Sequence, residues 1–216
     1  MTKRTRRLYM VGAGSLAREL SSWMQLESGG WGDFEFSGYL SDDGEEMRNY
    51  AGYLPGVVGT IASYRPQVGD GLIMAIASPK GKLGTARRLE ALGGDFQTFV
   101  HPSVLLGRHV TIGRGTVICP NAVVSCDTAI GDYVTINIGC SIGHDVILGA
   151  GCTLSAHVDV TGFVNVGEGA FFGSHASVLP RAKVGAWAKV GAGSVVLRSV
   201  KEGATVMGVP AQQILP

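Results

Sequence analysis

The chain has 216 residues, 45% of them apolar and 16% charged, with a formal net charge of +1. These values exclude a collagen, a disordered tail and a disulfide miniprotein, and the length permits one or two domains large enough to bury a core. A near balance of 18 basic and 17 acidic residues leaves no electrostatic footprint for nucleic acid or an anionic membrane.

In chain order, the basic run Lys3, Arg4, Arg6 and Arg7 reads as a solvated terminal arm. Residues 8–11 read as a short strand, and Gly12-Ala13-Gly14-Ser15 leads from it into an amphipathic helix ending near Glu27. Further strands are expected at residues 34–40, ending at Ser41-Asp42-Asp43, at 72–77, and at 96–100. A second helix follows Ser78-Pro79-Lys80-Gly81-Lys82 and runs to about Leu92. Alternating strands and helices predict a small parallel α/β sheet over residues 1–100. The glycine turn gathers backbone N–H groups and a helix N-terminus near one point, which suits a phosphate, or it is a tight turn without a ligand. Ala17 stands at the third glycine of the dinucleotide fingerprint, so NAD is not expected. Asp42 and Asp43 sit where such sheets bind a ribose or base, or else form a solvated loop. Charge density also divides the chain, with 22 charged residues in the first 100 against 13 in the other 116, and the junction falls at His101-Pro102-Ser103.

Beyond the junction a six-residue repeat takes over. Every sixth residue from Leu106 to Val196 is bulky and apolar, sixteen in all, and the next residue is Gly at nine of them. Two residues before each, the side chain is small or β-branched. The reading is a large inward side chain, a corner residue and a small inward side chain, a pattern that neither a helical nor a simple strand period sustains. Three hexapeptides make a triangular coil of 18 residues, so the region predicts a parallel β-helix of about five coils. At roughly 4.8 Å per stacked strand it is about 25 Å tall.

This ladder, with the ending VGAGSVVLRSVKEGATVMGVPAQQI that closes on Gly208-Val209-Pro210-Ala211, resembles the hexapeptide-repeat acyltransferases. The resemblance implies a left-handed β-helix, against the right-handed rule for parallel crossovers. A small α/β domain followed by such a β-helix is similar, over essentially the whole chain, to the subgroup that acetylates nucleotide-linked amino sugars and to the related sialic acid O-acetyltransferases. That implies a Rossmann-like domain, residues 1–100, holding the nucleotide sugar through Gly12, Gly14, Ser15, Ser41, Asp42 and Asp43. It also implies a left-handed β-helix, residues 101–216, with a C-terminal exit loop, holding acetyl-CoA. Many members carry Gly-Gly-His where this chain has Gly14-Ser15-Leu16.

In NIGCSIGHDVILG, His144 and Asp145 are similar to the subgroup's catalytic pair of histidine and acid. A histidine is suited to take a proton from an attacking amine or hydroxyl at neutral pH, and a carboxylate can orient its ring. Whether Asp145 reaches the ring stays open, because neighbouring strand residues point to opposite faces. Asn137 matches an asparagine common in the subgroup, implied to position the thioester or the histidine. Thr153, Gly162 and Ser174 fall where the subgroup contacts acetyl-CoA; Thr153 replaces a histidine of some members, and Gly162, one coil above His144, leaves room for a ligand. The implied reaction is direct transfer of the acetyl group from acetyl-CoA to the amine of a nucleotide-linked 4-amino-4,6-dideoxy sugar, with His144 as base, in a cytoplasmic homotrimer with sites between adjacent β-helices. O-acetylation of sialic acid or another sugar hydroxyl, and a non-enzymatic scaffold, are the alternatives.

His157 and His175, one coil apart, are expected to stack, but they lack a third ligand, and no two histidines have the five-residue spacing of γ-type carbonic anhydrases. No metal is therefore expected. His101 reads as structural and His109 as an outward corner residue. Cys119, Cys126, Cys140 and Cys152 match no metal or redox spacing and read as small, buried, reduced fillers. No stretch approaches the ~18 apolar residues of a membrane span, and no signal-peptide pattern follows the basic start, so a cytoplasmic protein is expected.

Overall fold

A computed structural model describes residues 6–25, 31–43 and 45–215. The chain divides into two compact units, Met1–Ala77 with Gly81–Thr98, and Ser78–Lys80 with Phe99–Pro216.

The first unit is built on a five-stranded parallel sheet. Its elements are β1 (Arg6–Val11), α1 (Ser15–Trp23), β2 (Phe34–Leu40), β3 (Val57–Gly59), β4 (Gly71–Met74), α2 (Pro79–Ala91) and β5 (Asp95–Phe96), with strand order β3-β2-β1-β4-β5. Leu8, Met10 and Val11 of the central strand are fully buried, as the apolar run of a strand flanked on both edges requires. Leu16, Ala17 and Leu20 form the buried stripe of α1. Among the described residues the chain between β2 and β4 contains turns rather than helices, so the expected alternation is only partial. The described part of α1 ends at Trp23, and the expected end at Glu27 lies outside the described residues.

Arg6 and Arg7 are not a solvated arm, because they open β1. Arg7 is paired through Nε and Nη2 with the buried Asp70, at 2.9 and 3.1 Å, and Arg6 lies 4.1 Å over the Phe34 ring. Tyr64 also donates to Asp70, at 2.7 Å, and burial followed by that bond pushes its phenol above its ordinary range. Lys3 and Arg4 lie outside the described residues. Residues 96–100 are not one strand either. Phe96 pairs with Leu72 in the first unit, whereas Phe99–Val100 pairs with Val117–Ile118, so the ladder begins one hexapeptide earlier than Leu106.

The second unit is a parallel β-solenoid with three faces. Strands of the first face include Val117–Ile118, Thr135–Ile136, Thr153–Leu154 and Phe171–Phe172; those of the second, Val123–Val124, Ser141–Ile142 and Asp159–Val160; those of the third, Ala129–Ile130, Ile147–Leu148 and Asn165–Val166. Partners stand 18 residues apart, as in Thr135 with Thr153 and Ile142 with Val160. The large inward residues from Ile118 to Val196 are buried, whereas Leu106, in the first coil, is 47% exposed. The small residues two places earlier do more than fill space. Thr116 and Thr128 hydroxyls and Cys140 and Cys152 thiols each donate to the backbone oxygen 15 residues on, at 2.8, 2.9, 3.1 and 3.2 Å. Cys119, Cys140 and Cys152 are buried and form no disulfide, but Cys126 is only half-buried.

The corner is made differently from the sequence reading. The residue with left-handed backbone is not the glycine after the inward side chain but the residue three places after it, at every sixth position from His109 to Gly193. The glycines serve close approach instead. A Cβ on Gly131, Gly143 or Gly167 would lie 2.8, 2.6 or 2.4 Å from a backbone nitrogen of the next coil. Near the end the spacing shortens, with Val190 paired to Val206 and Val184 bridged to Val200, and Gln212–Leu215 then runs antiparallel to Thr205–Met207.

Gly167→Ala is therefore expected to destabilise the solenoid by about 1–3 kcal/mol, because backbone rather than a flexible side chain must yield. Gly193→Asn should stay within about 0.5 kcal/mol, since its φ of +65° suits asparagine and nothing lies within 4 Å of the added carbon. Denaturant midpoints of the two variants check both statements.

Candidate active site

His144 stands just past the strand Ser141–Ile142, on the edge where the second face turns into the third. Asp145 occupies the left-handed corner with φ +56°. The strand rule that sends neighbouring side chains apart does not hold at such a corner, and Asp145 Oδ2 lies 2.8 Å from His144 Nδ1. Since a carboxylate can only accept, Nδ1 carries a proton, and in the neutral ring the lone pair is on Nε2. Both side chains are about half exposed, 51% and 44%, so the pair is open to a ligand.

The coil above completes the seat of the ring. A Cβ on Gly162 would lie 2.6 Å from His144 Nε2, so the space left by the missing side chain is taken by the imidazole, rather than kept for a ligand alone. Phe163 meets the imidazole at 5.0 Å between ring centroids, with planes at 89°. Arg181, one coil further, sets its guanidinium carbon 4.4 Å from the Phe163 centroid.

The remaining β-helix residues singled out from sequence do not join this group within one chain. Thr153 is buried on the first face. Asn137 and Ser174 lie on the edge between the first and second faces, the other border of the second face. Asn137 Oδ1 accepts from the Ile138 N–H at 2.7 Å. His157 and His175 share that edge and stack at 5.0 Å with an interplanar angle of 15°. Among the described residues no group of three His, Cys, Asp or Glu side chains could hold a metal ion. His101 Nδ1 accepts from the Ser103 N–H at 3.1 Å, and His109 stands at a left-handed corner. Cys140 is no nucleophile, because burial pushes its thiol up to about 11.

The first unit gathers its six residues into one cavity of about 350 Å³, lined by Gly12, Gly14, Ser15, Ser41, Asp42 and Asp43. Glu46, which the sequence reading missed, also lines it and takes a 2.5 Å hydrogen bond from Ser41 Oγ. The acidic pair is anchored rather than loose: Asp42 Oδ1 accepts from the Ala62 N–H at 2.8 Å, and Asp43 Oδ1 from that of Glu45 at 3.0 Å. Gly12, with φ +110° and the Ala75 carbonyl oxygen 3.0 Å from any added Cβ, is the glycine this turn requires. Gly14 has φ −72° and caps α1 without strain.

Gly162→Ala should displace the His144 ring without unfolding the coil, since the atom that must yield ends a flexible side chain. The ring's nitrogen NMR shifts should move while the thermal midpoint stays within a few degrees.

No family model and no curated protein matches the chain. Solved structures do. The acetyltransferase domain of PglB from Neisseria gonorrhoeae is 24% identical with a TM-score of 0.85, over 97% of this chain and 100% of that one. PerB from Caulobacter crescentus, in complex with CoA and GDP-perosamine, is 28% identical with a TM-score of 0.83, over 95% and 96%. The Caulobacter perosamine N-acetyltransferase has also been solved with one histidine replaced by asparagine or alanine. WeeI from Acinetobacter baumannii is 21% identical with a TM-score of 0.84, over 96% and 99%. In repeat, fold and structural neighbours the chain is similar to the hexapeptide-repeat acetyltransferases, and to their nucleotide-amino-sugar subgroup.

Proposed function

We propose that the protein transfers the acetyl group of acetyl-CoA to the amine of a nucleotide-linked 4-amino-4,6-dideoxy sugar. The observation that carries this reading is the His144–Asp145 pair, 2.8 Å apart and open at an edge of a β-solenoid, in a chain 28% identical to a protein solved with CoA and GDP-perosamine. His144 Nε2 takes a proton from the amine as its lone pair attacks the thioester carbonyl carbon. The tetrahedral intermediate collapses with expulsion of the CoA sulfur, which takes the proton from the His144 imidazolium and leaves as thiol, restoring the neutral ring. Asp145 fixes the tautomer through Nδ1 and stabilises the imidazolium that forms.

The handedness of the solenoid, taken as left-handed, and the Rossmann-like character of the first unit belong to the same reading. So does the division of labour, in which the first unit, about residues 1–100, holds the nucleotide sugar in the glycine-turn cavity and the second, about 101–216, holds acetyl-CoA. A cytoplasmic homotrimer completes it. The second face carries Leu105 and Val123, exposed at 67% and 42%, and is bordered by His144, Asp145 and Gly162 on one edge and by Asn137 and Ser174 on the other. Threefold packing of one edge against the next subunit's other edge would unite the two sets around acetyl-CoA, with Thr153 nearby on the first face.

The direct test is a thiol-release assay with acetyl-CoA against GDP-, UDP- and dTDP-linked 4-amino sugars, beside free sialic acid as the hydroxyl acceptor. Turnover of an amino sugar is expected; thiol release with sialic acid alone would transfer the reading to O-acetylation. His144→Ala should lower turnover by roughly 10²–10⁴ with acetyl-CoA affinity little changed. Gly12→Val should weaken the nucleotide sugar in calorimetry and leave acetyl-CoA binding intact, because its φ is positive and a backbone carbonyl stands 3.0 Å from the new carbon. Equal losses for both ligands would remove the acceptor from the glycine turn.

A further inference from the structure

Of the corner residues with left-handed backbone, three are Tyr, Phe or Trp: Tyr133, Phe163 and Trp187. Bulky side chains rarely adopt that conformation, so each needs a reason. Tyr133 is buried, and the Trp187 ring covers Gly169, where a Cβ would stand 2.4 Å from it. Phe163 does neither. It is 44% exposed, its ring stands perpendicular to His144, and Arg181, without an ion-pair partner among the described residues, lies against it at 4.4 Å. With Nδ1 engaged by Asp145, the nitrogen free to meet an acceptor is Nε2, and Nε2 is the ring atom closest to the Cβ position of Gly162, the residue before Phe163. An apolar ring therefore stands beside the base, next in the chain to the residue whose Cβ position faces Nε2.

In a 4-amino-4,6-dideoxy sugar the carbon beside the amine-bearing carbon carries a methyl group, and in the parent 4-amino-4-deoxyhexose it carries a hydroxymethyl group. A base in contact with the amine thus has the C6 group within van der Waals reach of whatever flanks it. An exposed aromatic surface gains by covering a methyl group, whereas covering a hydroxyl strips its water and returns no hydrogen bond. We propose that Phe163 is a specificity-determining residue, an apolar wall that selects acceptors with a methyl rather than a hydroxymethyl group at C6, and that Arg181 holds its ring in place. The inference rests on the N-acetyltransferase reading above and deepens its substrate class.

The test is steady-state kinetics with acetyl-CoA and GDP-, UDP- and dTDP-linked 4-amino sugars, each in a 6-deoxy and a 6-hydroxy form. The wild-type protein should favour the 6-deoxy form by roughly 10- to 100-fold in kcat/KM, the range a hydrophobic contact achieves against an added hydroxyl. Phe163→Asn, whose new side chain tolerates the corner conformation, should narrow that ratio to within about threefold and leave the KM for acetyl-CoA unchanged. Arg181→Ala should narrow it part of the way. Phe163→His reads the same ratio should the asparagine variant fail to fold. A wild-type protein indifferent to C6, or a ratio preserved in the Phe163 variants, overturns the assignment while the acetyltransferase reading stands. Absence of turnover with every acceptor overturns that reading, and this assignment with it.

Discussion

Each coil of the second unit lies on the next at the hydrogen-bonding distance of a parallel sheet, about 4.8 Å, and most of what the chain can do follows from that spacing. Where glycine follows the inward residue, backbone stacked so closely leaves no room for a side chain, and the Cβ positions of Gly131, Gly143 and Gly167 fall against the amides of the coil above. The interior is filled by one large and one small residue per hexapeptide, with Thr or Cys able to serve where the next coil offers a carbonyl. Chemistry is left to the edges. There the left-handed corner swings a side chain outward and lets two consecutive residues, His144 and Asp145, meet at one point.

The six-residue ladder was legible because every sixth position is occupied by the same kind of side chain, and because inward packing depends on size, which residue type records. The corner was not, since residues as different as Asn121, Asp145, Phe163, Arg181 and Gly139 share its backbone, and no single side chain marks it. For the same reason the contact between His144 and Asp145 could not be decided from adjacency. Residues 96–100 look like one strand because Phe96, Phe99 and Val100 are all apolar, although they serve two different sheets. Val57–Gly59 is too short and too little buried to show a period. The cavity of the first unit was readable through its glycines and acids, but which glycine carries the strain depends on φ, and Glu46 arrives from a loop without periodicity.

The imidazole of His144 shows how a half-exposed group acquires a fixed orientation without being buried. A carboxylate fixes one nitrogen, a glycine lets the ring lean on backbone, and an aromatic ring closes one side. Asp145 and Phe163 share the corner position of the repeat one coil apart, Gly162 precedes it, and two of the three restraints come from the coil above. The site therefore depends on coil stacking as much as on its own residues, and a shift of one coil against the next would disturb the ring before it disturbed the core. In the first unit the corresponding restraint is a network around a buried carboxylate, where Arg7, Tyr64 and the Gln67 N–H converge on Asp70.

A stack of identical coils is, in principle, a template for its own extension, since its last strand offers a free edge to any other chain of the same period. This chain ends otherwise. The partner spacing of 18 residues gives way in the pairs Val184–Val200 and Val190–Val206, and a reversed strand, Gln212–Leu215, occupies the edge of Thr205–Met207. An incoming coil would find neither the register nor the direction it needs. The reversed strand thus covers the edge of the first face at this end of the solenoid, where a chain of the same period would otherwise find an open parallel strand.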